Sequence, residues 1–198
     1  IGLADFADNQ RIEGFLNATK KDWRFFSVQH EPSISSLEKI QSSLGDFVPH
    51  LVIAMGGGST IDTGKVLAAL AANPGELLDY LEVVGGGKSL VNKSIPLIAI
   101  PTTAGTGSEV TRNAVIAVPD RKVKVSLRGP FIQPEIALID PELTLSLPQT
   151  TSMFSGMDAF IQVIEPYVSI KANRFTDLLC LEGIRTAAIA LRGVFKSS

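Results

Sequence analysis

Residues 51–65 read Leu-Val-Ile-Ala-Met-Gly-Gly-Gly-Ser-Thr-Ile-Asp-Thr-Gly-Lys. Leu51 to Met55 is an unbroken apolar run, the pattern of a strand buried on both faces. Gly56, Gly57, Gly58 and Ser59 follow, and a helix is expected from Thr60 to Ala72, stopped by Asn73-Pro74-Gly75. Strand, glycine turn and helix together make a natural anion cradle. Glycines let the backbone approach a phosphate, and a helix start offers unpaired N–H groups and a positive dipole end. The segment is neither the G-x-G-x-x-G fingerprint nor a P-loop, because Lys65 is not in the G-K-[ST] position. A plain tight turn is the simpler alternative.

Working outward, the pattern recurs. Pro96 to Ile100 is a second buried strand, and it runs into Thr102-Thr103-Ala104-Gly105-Thr106-Gly107-Ser108-Glu109. Three threonines, a serine and two glycines suit a phosphorylated or polyhydroxylated ligand; a capped turn uses the same residues. In open α/β sheets such ligands lie beyond the C-terminal strand ends. On the N-terminal side, Asp8 to Lys21 reads as a helix and Trp23 to Val28 as a short aromatic strand. Ser33 is placed to cap a helix over Ile34 to Leu44, with Gly45 as its stop. Glu76 to Leu81 is a short helix. Val115 to Val118, Lys122 to Ser126 and Ile136 to Ile139 read as further strands. Strands alternating with helices predict an α/β fold: a mainly parallel sheet covered on both faces. The character changes near Asp140-Pro141. Ser152 to Val168 and Arg174 to Leu191 are long helical patterns without strand candidates. We expect an α/β dinucleotide-binding domain over 1–148 and the start of a helical domain over 149–198. No internal repeat is visible.

The composition narrows the function classes. The chain has 198 residues and a formal net charge of −2, which gives no electrostatic reason to expect nucleic acid or an anionic membrane. One cysteine, Cys180, excludes a disulfide framework or a cysteine-cluster metal site. No apolar run reaches the ~18 residues a spanning helix needs, and no basic-then-apolar leader opens the chain. The cytoplasm is therefore the expected compartment. Ile1 in place of methionine suggests that the sequence lacks its start.

A third segment, Gly156 to Tyr167, places Asp158 and Gln162 four residues apart, on one helix face. A carboxylate and an amide there could share an ion or a substrate, but spacing alone favours a solvated face. The two histidines, His30 and His50, read as surface or satisfied side chains.

Taken in order, Gly56 to Lys65, Pro101 to Thr111, Pro134 to Leu147 and Gly156 to Ser169 resemble the iron-containing (group III) alcohol dehydrogenase family. The resemblance runs from about Trp23 to about Arg185. It implies a Rossmann-like nucleotide domain followed by an all-helical metal domain, as in the related dehydroquinate synthase and glycerol dehydrogenase. The family chain is longer, so the resemblance presents this sequence as a fragment whose helices need a partner chain to bury their apolar face.

The implied activity is NAD- or NADP-dependent interconversion of a primary alcohol and an aldehyde. The implied partners are a small-molecule substrate and further copies of the chain, most simply in a dimer. Carried over, Gly57, Gly58 and Ser59 hold the cofactor pyrophosphate, with Asp62 beside them. Thr102, Thr103 and Thr106 line the ribose and nicotinamide side. Lys124 matches the lysine that bonds cofactor hydroxyls, and Leu143 lies near the adenine wall. Asp5 is the one candidate for the NAD-versus-NADP choice. Asp158 matches the first ligand of a metal, iron or zinc, that the family holds with an aspartate and three histidines. The sequence departs at the next ligand, where Gln162 replaces the first histidine; an amide is a poorer ligand than imidazole for such metals. No acid–base residue is visible. Two other readings follow: a metal-independent reductase such as the maleylacetate reductases, or a nucleotide-binding module without catalysis.

Overall fold

The computed structural model describes residues 9–196, and the segment up to Asp8, including Asp5, lies outside them. The chain divides into two compact units. One holds the described residues up to Pro101 together with Ser108–Ile139; the other holds Thr102–Gly107 and the described residues from Asp140 on.

The first unit is built on the apolar runs. Strands β1 (Val52–Gly56), β2 (Leu97–Pro101) and β5 (Ile136–Ala137) form a parallel sheet in the order β1-β2-β5. Helix α3 (Gly58–Ala72) returns the chain across one face of it. Ile61 and Ala68 pack there on Val52, Ala54, Leu97 and Ala99. Contact is close enough that Gly64 admits nothing larger: a Cβ on it would stand 2.7 Å from that of Ala54. The opposite side of α3 packs under a second cluster, in which Val66, Leu67 and Leu70 join Leu37 of α2 (Ile34–Leu44), Leu77 and Tyr80 of α4 (Leu77–Tyr80), and Ile116, Val125 and Leu127. Every residue from Thr60 to Leu70 is buried. A helix buried all round needs no polar stripe, which is why this segment lacks amphipathic periodicity.

Ile116, Val125 and Leu127 come from β3 (Asn113–Val118) and β4 (Val123–Arg128). These pair antiparallel as a separate hairpin, Val118 opposite Val123 and Asn113 opposite Arg128. The expectation that they extend the parallel sheet is corrected. A tight turn over Pro119–Arg121, closed by Lys122 in the left-handed region at φ 52°, is too short for a parallel crossover. The expected aromatic strand over Trp23 to Val28 is also absent, with only Ser27 in a β-bridge. Those aromatics, with Ile12 and Leu16 of α1 (Asn9–Ala18), instead line an apolar hollow of about 910 Å³ against Ile53, Met55 and Ile98 on the second face of the sheet. That face is flanked by a cavity, where the sequence predicted a cover.

Ser33 caps α2 as expected. Its hydroxyl accepts from the Ser36 N–H at 3.2 Å while the Ser36 hydroxyl accepts from the Ser33 N–H at 2.9 Å. Ser33→Ala is expected to cost about 1 kcal/mol, read as a lower denaturant midpoint at unchanged slope.

The second unit is helical. Helices α5 (Gln149–Val168) and α6 (Arg174–Lys196) run past each other, with Gly156 against Leu191 and Gly183 against Val163, a pairing that makes them antiparallel. Both extend beyond their predicted limits. Their outward residues include Phe154, Ile161, Phe175, Leu178 and Ile189, all exposed. Among the described residues no helix is long and apolar enough to cross a membrane.

Candidate functional site

The glycine turn is shaped by sterics. At Gly56 the backbone takes φ 156°, and an added Cβ would lie 2.5 Å from the Thr60 hydroxyl oxygen, so only glycine fits. Gly57 is the extended N-cap residue of α3, and no side chain caps it. Its carbonyl accepts from the N–H groups of Thr60 and Ile61 at 3.0 and 3.1 Å. The N–H groups of Gly58 and Ser59 have no acceptor among the described residues. They present two free donors at the positive end of a 15-residue helix. An anion is the ligand that such an end favours.

Asp62 and Lys65 do something the sequence reading did not foresee. Asp62, expected beside the cofactor, has both carboxylate oxygens engaged within the scaffold. One accepts the Ser108 hydroxyl, and the other accepts the Val115 N–H at 2.9 Å. Lys65 is completely buried. Its ammonium donates to Ser108 Oγ at 3.0 Å, Thr111 Oγ1 at 2.9 Å and the Asn113 carbonyl at 2.8 Å, and lies 3.5 Å from Asp62 Oδ1. Burial pushes its proton affinity below that of an ordinary lysine, and Asp62 opposes the shift. All three partners can accept from it, as an ammonium requires. The network ties α3 to Ser108–Val110 and to β3. A lysine inside a helix with no polar face was the signal that could have found it.

Gly56 and Pro101 are register partners, so β1 and β2 end level with each other, and the threonine loop begins at the next residue. Thr102 is buried, and the hydroxyls of Thr102 and Thr103 lie buried with no partner among the described residues. Unpartnered buried hydroxyls are costly, and a hydrogen-bonding ligand would satisfy them. Thr106, half-buried, offers its carbonyl to the Gln162 amide at 3.4 Å. Gly105 lies directly on the α5 backbone, where a Cβ would come within 2.0 Å of the Ser155 carbonyl oxygen.

The remaining candidates are placed as follows. Lys124, on the solvent side of β4, pairs with Glu31 at 2.8 Å. Leu143, half-buried, sits in the turn over Pro141–Thr144. His30 and His50 are exposed. Asp158 and Gln162 stand one turn apart on α5, both exposed, and the Gln162 amide donates to Asp158 Oδ2 at 2.9 Å. One carboxylate and one amide whose N–H group faces that carboxylate do not make a transition-metal site. Among the described residues no three His, Cys, Asp or Glu side chains are grouped to hold a metal ion.

Comparison with known proteins adds a family likeness. The family model described as iron-containing alcohol dehydrogenase matches residues 6–141. Long-chain-alcohol dehydrogenase 1 of Geobacillus thermodenitrificans is 37% identical over 97% of this chain and 47% of its own length. Sulfoacetaldehyde reductase of Bilophila wadsworthia is 32% identical over 98% of this chain and 49% of its own. Among solved structures, the alcohol dehydrogenase from Oenococcus oeni superposes with a TM-score of 0.86 at 30% identity, over 99% of this chain and 52% of that one. The chain thus spans about half the length of these relatives.

Proposed function

Because the chain belongs to the iron-containing alcohol dehydrogenase family, we propose that it binds a nicotinamide dinucleotide and serves the interconversion of a primary alcohol and an aldehyde. The observation that carries this reading is the pair of free N–H donors at Gly58 and Ser59, on a turn that excludes side chains at Gly56. They receive the pyrophosphate, with Gly57 setting the approach. Thr102, Thr103 and Thr106 take the ribose and nicotinamide side, in keeping with the two unpartnered hydroxyls. Lys124 serves the cofactor hydroxyls after leaving Glu31, and Leu143 the adenine. Asp62 contributes by holding α3 in place. The bound cofactor supplies the hydride acceptor or donor; the protein supplies position and exclusion of water. The reading also includes a cytoplasmic homo-oligomer acting on small molecules, without nucleic-acid or membrane partners.

The hydrogen bond from Gln162 to Asp158 favours a second reading, a reductase that works without a metal through these two residues. Fluorescence titration with NADH and NADPH tests the first reading: saturable binding at micromolar concentration is expected, and its absence ends the proposal. Metal analysis of the purified protein separates the two. Less than a tenth of an equivalent of iron or zinc, with aldehyde reduction retained, selects the metal-independent form.

A further inference from the structure

Asp62 follows Gly58 by four residues and Ser59 by three, so it shares their side of α3, one turn below the free donors. A bare carboxylate there opposes an anion at the helix start. Asp62 is nevertheless fixed in place, because its oxygens hold Ser108 and the Val115 N–H. Lys65, wholly buried, stands 3.5 Å from it.

We propose that Lys65 is a positioning residue for the anion cradle: its charge cancels that of Asp62 beneath the glycine turn, so that Asp62 can brace α3 without repelling a phosphate. This rests on the dinucleotide reading above. Two features set Lys65 apart from an ordinary surface ion pair. Its three N–H groups are taken by Ser108, Thr111 and the Asn113 carbonyl, so it is held by more than Asp62, to which Ser108 also donates. Both partners are buried, so salt screens their fields weakly. Glu109 is the other charge that acts on Lys65.

The test compares the wild-type protein with Lys65→Met, Asp62→Asn and the double variant, titrated with NADH and with inorganic pyrophosphate. Folding is checked by circular dichroism. Lys65→Met is expected to weaken both ligands about 20-fold, the size of one uncompensated charge several ångströms away at intermediate dielectric. Adding Asp62→Asn removes that charge and is expected to restore affinity to within about threefold of wild type. A network that is only structural separates from this at Asp62→Asn alone, where it predicts weaker pyrophosphate binding through loss of the brace on α3 and the charge account predicts tighter binding. If Lys65→Met does not fold, Asp62→Asn decides alone. It leaves Lys65 with its three acceptors and should tighten pyrophosphate severalfold; weaker binding overturns the proposal. Equal binding by Lys65→Met and wild type also overturns it. If wild-type protein binds neither ligand, the dinucleotide reading itself has failed.

Discussion

Replacing Gly105 with alanine is expected to lower the melting temperature by about 6–12 °C. A Cβ at this position would lie 2.0 Å from the Ser155 carbonyl oxygen, 2.6 Å from its carbon and 2.9 Å from its Cα. All three atoms are helix backbone. They cannot turn aside as a side chain can, so the threonine loop must lift from α5. Overpacking of this kind costs about 3 kcal/mol at the upper end of its usual range. At about 2–4 °C per kcal/mol for a protein of this size, that gives the stated shift. Gly193 supplies the control. It lies within α6, and a Cβ there would meet nothing within 4 Å. Gly193→Ala should therefore stabilise by about 1 kcal/mol through helix propensity alone. Paired thermal melts of the two variants decide the point: shifts of the same sign would refute the steric account.

The second large effect is at Lys65. Lys65→Ala strips the donor from Ser108, Thr111 and the Asn113 carbonyl and leaves the buried Asp62 carboxylate without its counter-charge. Removing one partner of a buried ion pair costs about 3–5 kcal/mol, chiefly because the other is left uncompensated. Denaturant unfolding should show this as a lower midpoint. A double-mutant cycle with Asp62→Asn should give a combined loss smaller than the sum, since the second change removes the stranded charge. Additive losses would mean that the two side chains act independently, against the geometry. Ser108→Ala removes only a hydroxyl that joins the two and should cost less, about 1–3 kcal/mol.

Much of the fold was legible in residues 51–72 and 96–101. Unbroken apolar runs bounded by glycine, proline and hydroxyl residues admit few structures other than buried parallel strands with helical crossovers, and β1, α3 and β2 are those. The helical pair was equally readable from its long 3.6-residue periodicity, although both helices extend further than predicted. The hairpin was misread because β3 and β4 carry the same β-branched pattern as sheet strands. What distinguishes them is the left-handed residue at Lys122, a backbone conformation that lysine does not advertise. The Trp23 to Val28 segment shows the converse: aromatic content promised a strand, but its side chains went to lining a hollow.

Of the candidate site, the glycine turn and the threonine loop were visible as motifs because glycine and hydroxyl residues state a local backbone requirement. Gln162 was visible too, one helical turn after Asp158, and the structure joins the two by a hydrogen bond. Sequence alone determined the α/β class and the positions of the two loops, since these depend on local composition and short-range periodicity. Only the tertiary structure decided what Asp62 and Lys65 do. Ser108, Thr111, Asn113 and Val115 lie more than forty residues away along the chain. A buried charge takes its role from whichever partners folding brings to it, and no pattern around residue 65 encodes which those are.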